Sequence, residues 1–261
     1  MTRLGKCTAL ERGTARGSRE TSRFQGYALA NTTTSRILLE AMPGAASDVN
    51  RTNCALRTED RQTALRVVPV SREIAERFAV YVDLLRRWRN VTNLISETTV
   101  CAIWTRHLAD CAQVLLLAPT ARRWIDIGSG AGFPGLVLAM QLANVNGAIV
   151  HCIEKDQRKC AFLREAARAT ASPAVIHSAL VQSIDPDLLG TIDGVTARAF
   201  APLSKTVRLA KIWLERGAVG VFFGGKSAHR QVTTAGSSLT RDIIPSVVAD
   251  SKAVIIRVRV N

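Results

Sequence analysis

The sequence predicts an α/β fold, a mainly parallel sheet of about seven strands with an antiparallel hairpin at one edge, preceded by amino-terminal helices. Two observations predict it. From Arg122 onward, short apolar runs alternate with amphipathic stretches of helical length, the pattern of strands joined by crossover helices that cover both faces of a sheet. The last two apolar runs, Asp242–Val248 and Ala253–Val260, have no helical stretch between them, which makes them an antiparallel pair.

The elements follow in order. Residues 1–70 carry eleven Lys/Arg and six Asp/Glu, are rich in Arg, Thr, Ser, Gly and Ala, and show no sustained apolar period. They read as a disordered leader. Two alternatives stay open: a transit peptide, which the six acids argue against, or translated sequence upstream of a start nearer Met42. At Ser71 the pattern changes, because Ile74, Phe78, Val82, Leu85 and Trp88 recur at helical spacing, with Ser71 as N-cap and Glu73 in the first turn. A second helix is expected after Ser96, through Ile103, His107, Cys111 and Leu115, and Pro119 ends it. Residues 71–118 are thus a helical extension of a domain running from 71 to 261. Strands are then expected at Arg122–Gly128, Ala148–Glu154, Pro173–Ala179, Asp193–Ala199 and Val219–Phe223, with helices at Gly135–Leu142, Arg158–Ala169 and Leu203–Glu215.

Charge and cysteines narrow the function classes. The formal net charge is +14, of which the first 70 residues account for +5, so the body is itself basic and favours a polyanion, nucleic acid or an acidic membrane surface. Apolar stretches such as Val114 to Ala118 are far short of the ~20 residues that a spanning helix needs. The six cysteines show no CxxC pair and no histidine at metal-ligand spacing, which reads as reduced cytosolic thiols and no metal. Cys152 falls in an apolar strand and reads as a small buried hydrophobe.

The most informative segment runs from Asp126 to Gly135, directly after the first strand and opening a helix. Gly128, Gly130 and Gly132 let the backbone turn tightly and approach a ligand, and the helix that follows offers free N–H donors. A dinucleotide fingerprint would need a small residue where Phe133 stands, so the match to GxGxxG fails. The order acidic-x-Gly-x-Gly-x-Gly is instead that of S-adenosylmethionine (SAM) loops, with Asp126 expected near the methionine part. Glu154 ends the second strand, 22 residues after Gly132, where a carboxylate accepts ribose hydroxyls; NAD and SAM sites share that feature. A decoy lies further on. Gly220 to Ser227 matches GxxxxGK[ST] by letter, but Val221–Phe223 is an apolar strand, and a phosphate loop must follow its strand rather than contain it.

Across Val80 to Ser227 the chain resembles a known family. Trp88 and Asn93-Leu94-Ile95-Ser96, Arg106-His107-Leu108-Ala109-Asp110, the glycine loop through Gly135, Asp156 to Lys159 with Phe162-Leu163-Arg164, and Arg198-Ala199-Phe200-Ala201-Pro202-Leu203 look like RsmG, the glucose-inhibited division protein B family. The resemblance implies a Rossmann-like SAM-dependent methyltransferase fold. It also implies transfer of a methyl group from SAM to N7 of one guanine in 16S ribosomal RNA, in the cytoplasm. Carried over by motif, the SAM contacts fall on Gly128 and Phe133, on Val181 and Gln182, and on Arg198; Gly130 of the glycine loop and Glu154 join them as expected cofactor residues from the loop and its distal acid. Gln182 departs from the acidic residue common in relatives, although its amide can still accept from an adenine amine. Gly224-Gly225-Lys226 departs from the usual Lys-Gly turn.

Guanine N7 carries a free lone pair, so its methylation releases no proton and needs no strong base. The sequence agrees in lacking the Asn/Asp-Pro-Pro-aromatic string of exocyclic-amine methyltransferases: Ala197-Arg198-Ala199-Phe200 stands there, with no Cys for carbon-5 chemistry. Arg198 could instead be structural, paired with a carboxylate such as Asp193. Arg106, His107 and Asp110 share a helix and read first as a network holding it to the sheet; Arg106 and His107 are also candidates for substrate RNA, with Lys226 and Arg230. Further RNA contacts are expected from Arg72, Arg77, Arg86, Arg87 and Arg89 and from Lys205, Arg208 and Lys211, with binding that weakens in salt. His151 and His177 read as core histidines. The expected partner is the small ribosomal subunit and the expected state a monomer. An NAD(P)-dependent oxidoreductase and a non-enzymatic RNA-binding protein with a degenerate site remain the competing readings.

Overall fold

The computed structural model describes residues 58–89, 91–225, 239–248 and 254–260. Seven strands form one sheet: β1 (Arg123–Ile127), β2 (Ile149–Glu154), β3 (Ala174–Ser178), β4 (Gly194–Arg198), β5 (Val219–Gly224), β6 (Leu239–Pro245) and β7 (Val254–Val260). Their order is β3-β2-β1-β4-β5-β7-β6. All pairings among β1 to β5 are parallel, and β7 runs antiparallel to both β5 and β6. The expected edge hairpin is present, but its second strand lies inside. The reason is composition: Ile255, Ile256 and Val258 of β7 are buried, whereas β6 is partly exposed and carries Asp242, which receives Arg257 and Arg259. A charged strand suits the unpaired edge. The GK[ST] decoy also resolves, since Val221 and Phe222 are buried within β5.

Helices cover both faces. On one face lie α2 (Arg72–Trp88), the composite α3 (residues 97–117), α4 (Gly135–Gln141) and α5 (Gln157–Ala169), over a core that includes Phe78, Tyr81, Trp104, Trp124, Leu136 and Phe162. On the other, α6 (Leu203–Glu215) packs Val207, Ala210 and Trp213 against Ile125, Val195 and Phe222. Strand β1 therefore has both faces buried, which explains its near-continuous apolar run.

Helix α2 forms for the reasons read from its sequence: the Ser71 hydroxyl accepts from the Ile74 N–H, Glu73 lies in the first turn, and Phe78, Tyr81, Val82 and Leu85 face inward. Its outer ties fix it to α5. Trp88 donates its indole N–H to Glu165 at 2.9 Å, and the Arg77 guanidinium donates to the Thr170 and Ala171 carbonyls at the end of α5.

Two expectations need correction. The folded body begins before Ser71. Residues 58–67 form a helix, α1, with Ala64 buried in the main core and Val68 buried just beyond it. Its Asp60 carboxylate accepts from the backbone N–H groups of Trp104 and Thr105 at 2.9 and 3.1 Å and from the Thr105 hydroxyl at 2.6 Å, while Arg61 lies over the Trp104 ring. These partners are more than forty residues away in sequence, which is why the segment looks patternless by itself. The rest of the expected leader, residues 1–57, lies outside the described residues. Second, the single helix expected after Ser96 is composite, a 3-10 stretch (Glu97–Ala102), a π-helical turn (Trp104–Ala109) and short α segments (Asp110–Ala112 and Val114–Leu117), ending before Pro119 as expected. Single π turns occur often at functional sites, and this one carries Arg106 and His107.

Candidate functional site

In a parallel sheet the strands' carboxyl ends point to one edge, and a crevice opens where the order reverses. Here the reversal lies between β1 and β4. A cleft of about 630 Å³ opens there, lined by the loops after β1 (Gly128 to Phe133), β2 (Glu154, Lys155), β3 (Ala179 to Gln182) and β4 (Arg198 to Ala201), with Leu94 to Ser96 and His107 from the helical extension. That volume suits a nucleoside-sized ligand.

The glycine loop is built for close approach. Gly128, Gly130 and Gly132 all have positive φ, at 70°, 57° and 94°. Gly128 and Ser129 donate their N–H groups to the Ile153 carbonyl, tying the loop to the end of β2. A Cβ on Gly132 would come within 2.7 Å of Leu136, so Gly132 supplies the close packing between loop and helix. Phe133 is accommodated because its ring turns the other way, edge-on to Tyr81 at 5.6 Å and stacked on His107 at 4.7 Å. The Tyr81 hydroxyl donates to the Ala131 carbonyl, so α2 holds the loop from outside.

Glu154 sits on the cleft floor. One carboxylate oxygen accepts from the Gly130 N–H and the other from the Asp156 N–H, each at 2.9 Å, which fixes the group while leaving lone pairs on both oxygens. Val181 and Gln182 follow β3 in a 3-10 turn (Val181–Ser183), and both line the cleft.

Asp126 is displaced from its expected place beside the methionine part. It is fully buried, is not among the cleft residues, and accepts the N–H of Gly135 at 3.0 Å at the start of α4. Strand alternation is the cause: Asp126 shares a face with Trp124, toward the helices of the main core. Burial pushes its carboxyl up to about 7, with the Glu154 charge adding and the Ser129 and Gly135 hydrogen bonds opposing.

Arg198 reaches the cleft at the end of β4, and its guanidinium is turned toward α3. It donates to the Arg106 carbonyl at 2.8 Å and to the Cys111 sulfur at 3.2 Å, lies 3.7 Å from the buried Asp110 carboxylate, and rests over the Phe223 ring. Its carboxylate partner is therefore Asp110 rather than Asp193, which instead accepts from the Arg122 and Arg123 backbone N–H groups. Asp110 also accepts from the Ser246 hydroxyl, linking α3 to the segment after β6. His107 lines the cleft, and burial, reinforced by the Arg198 and Arg106 charges, pushes it down to about 3. It is neutral near pH 7. Arg106 is exposed and does not line the cleft.

The basic face expected on α2 is largely neutralised: Arg72 pairs with Glu76, Arg77 with Glu73, Arg86 with Asp83, and Arg89 with Glu97. On α6, Lys211 pairs with Glu215. The lysines at the cleft are Lys155, Lys159 and Lys205, of which only Lys205 was expected to face RNA. Lys226 and Arg230 lie outside the described residues. His151 and His177 bond to each other at 3.0 Å across β2 and β3, away from the cleft. Cys111, Cys152 and Cys160 are buried and free. Two cleft features escaped the sequence reading: the irregular segment Leu94, Ile95 and Ser96, and Phe200, whose place depends on the backbone turn at Ala199.

Comparison with known proteins gives a consistent match. A family model described as rRNA small subunit methyltransferase G matches residues 74–254. A protein named ribosomal RNA small subunit methyltransferase G from Bradyrhizobium diazoefficiens is 44% identical over 190 residues, 73% of each chain. A protein of the same name from Methylorubrum populi is 43% identical over 205 residues, 78% of this chain and 96% of its own. Among solved structures, an O-methyltransferase from Bacillus cereus in complex with SAH superposes with a TM-score of 0.52 at 14% identity, covering 80% of this chain and 100% of that one. At that identity the likeness speaks for the fold, a Rossmann-like methyltransferase sheet.

Proposed function

The chain belongs to the rRNA small subunit methyltransferase G family, and from that premise we propose that it transfers a methyl group from S-adenosyl-L-methionine to N7 of a guanine in 16S ribosomal RNA. The residues present suit that cofactor. Three positive-φ glycines clear a path for it, and the fixed Glu154 carboxylate keeps lone pairs for the two ribose hydroxyls. Gly128, Gly130 and Phe133 would hold the amino-acid side, Glu154 the ribose, and the Val181 N–H with the Gln182 amide the adenine. Arg198 stands at the remaining wall, tied to α3 through the Arg106 carbonyl and the Asp110 carboxylate. When bound, SAM supplies an electrophilic methyl group on a sulfonium.

The observation that carries the N7 reading is the family match, and the polar groups of the cleft suit it. His107 is held neutral, down to about 3, and both Glu154 oxygens are engaged by backbone N–H groups. That arrangement suits an acceptor arriving with its own lone pair, for which the chain has only to position, to exclude water and to match charge. A neutral His107 also adds no repulsion as the base becomes cationic. Lys155, Lys159 and Lys205 at the cleft are suited to RNA phosphates. Arg106 and His107, and beyond the described residues Lys226 and Arg230, complete the candidate substrate contacts. The cytoplasmic location, the monomeric state and action on the small subunit belong to this proposal and follow from the ribosomal substrate; among the described residues no helix is long and apolar enough to cross a membrane.

The test is transfer from labelled SAM to small subunits of a strain lacking the modification, followed by chemical cleavage at N7-methylguanine. Label mapped to a single guanine is expected. Absence of incorporation with intact RNA binding would replace this reading with that of a non-enzymatic binder.

A further inference from the structure

An acceptor base must leave its stack to reach a methyl donor in a cleft, and the stacking it loses is commonly replaced by an aromatic side chain. A side chain that does this needs a free ring face, a place at the carboxyl end of the strands, and a rigid backbone behind it. His107 does not qualify, because Phe133 stacks on it and both its ring nitrogens are enclosed. Phe78, Phe133, Phe162 and Phe222 are each no more than 7% exposed, and the Phe223 ring carries Arg198. Phe200 is different. It lines the cleft and is 38% exposed.

Its backbone setting is equally specific. Strand β4 ends at Arg198, and the next residue, Ala199, has φ of +51°, a region that residues with a Cβ enter rarely. The turn brings the Phe200 ring back over the glycine loop, so close that a Cβ on Gly128 would come within 2.2 Å of its Cδ2 edge. The ring thus lies where the loop after β1 and the loop after β4 converge. Lys205, one turn into α6, lines the same cleft with its side chain exposed, within reach of the phosphates that flank an extruded nucleotide.

We propose that Phe200 is the stacking platform for the acceptor purine, held over the glycine loop by the left-handed turn at Ala199. The role rests on the guanine-N7 reading and adds to it the residue that presents the base.

Phe200→Leu and Phe200→Tyr separate a stacking role from a packing one. For Phe200→Leu, calorimetric affinity for SAM is expected to stay within about twofold of the parent, while kcat/KM for small subunits falls on the order of 10- to 100-fold, the loss of one base–aromatic stack. Phe200→Tyr, which keeps the ring, is expected to recover activity to within a few-fold. Phe200→Trp gives a signal independent of turnover, since its fluorescence should be quenched by stacked guanine when small subunits are added with S-adenosylhomocysteine, beyond the change in the parent. Unchanged kcat/KM in Phe200→Leu, failure of Tyr to rescue, or loss of SAM affinity in Phe200→Leu would each overturn the proposal; the last would place the ring in the cofactor cradle. Incorporation by the parent protein at a position other than N7 would overturn the guanine-N7 reading, whereas the fluorescence response would still report the platform.

Discussion

Asp126 is the acid that the sequence places beside the cofactor and that the fold seals into the core, and its burial makes a quantitative prediction. Its carboxyl is fully buried, and the Gly135 N–H with the Ser129 hydrogen bond only partly offsets the loss of water, so ionisation is poorly compensated. The folded value of about 7 lies above the ordinary 3.8. Between those values the native state holds a proton that the unfolded chain has lost, so stability falls as pH rises through this window and levels off above it. Between pH 5 and pH 8 the Asp126 contribution to folding drops by roughly 2–3 kcal/mol. Asp126→Asn removes the titration while its amide oxygen can keep the Gly135 bond. Urea unfolding of both proteins at the two pH values isolates the effect, because the remaining titrating groups are common to both. The stability of the parent relative to Asp126→Asn should fall by roughly 2–3 kcal/mol from pH 5 to pH 8. A difference that does not change with pH would mean that Asp126 ionises as an ordinary carboxylate and that the core around Gly135 admits water.

Three further outcomes are expected. Gly128→Asp should abolish SAM binding in calorimetry, since Gly128 has positive φ, Phe200 fills the space a side chain would need, and the carboxylate adds negative charge to the loop; retained affinity would put the cofactor elsewhere. Asp60→Ala should destabilise the protein by about 1–2 kcal/mol in urea unfolding through loss of the caps on Trp104 and Thr105, and no change would show that α1 does not secure α3. The His151–His177 pair is held neutral, His151 down to about 4 by burial first and then by its neighbour. Its stabilisation is complete above the ordinary histidine value of 6.5 and is lost as pH falls through the folded one. His151→Phe should therefore flatten the decline in thermal midpoint between pH 6.5 and pH 4, and an unaltered slope would assign that decline to other groups.

Most strands were legible because their signal is local. β1 to β5 end within about a residue of where the apolar runs and turn residues put them, and Glu154 and the glycine loop meet because both terminate adjacent parallel strands. What was not legible depended on partners distant in the chain. The role of α1 lies in Asp60 reaching Trp104, and that of Arg198 in Asp110 rather than the nearer Asp193. The basic residues of α2 were correctly read as a helical face, but their reach toward acids at i±3, i±4 and beyond decides how much charge is left for RNA.

The sequence by itself determined the alternating α/β architecture, the strand ends, the glycine loop with its distal acid and, through its motifs, the family. All of these are written in periodicities and spacings spanning a few tens of residues. Only the tertiary structure decided that β7 rather than β6 lies beside β5, that Asp126 caps a helix while Glu154 faces the cleft, and that Phe200 turns back over Gly128. The physical reason is the same in each case: which face a side chain presents, and what it meets there, is set by the packing of elements remote in sequence.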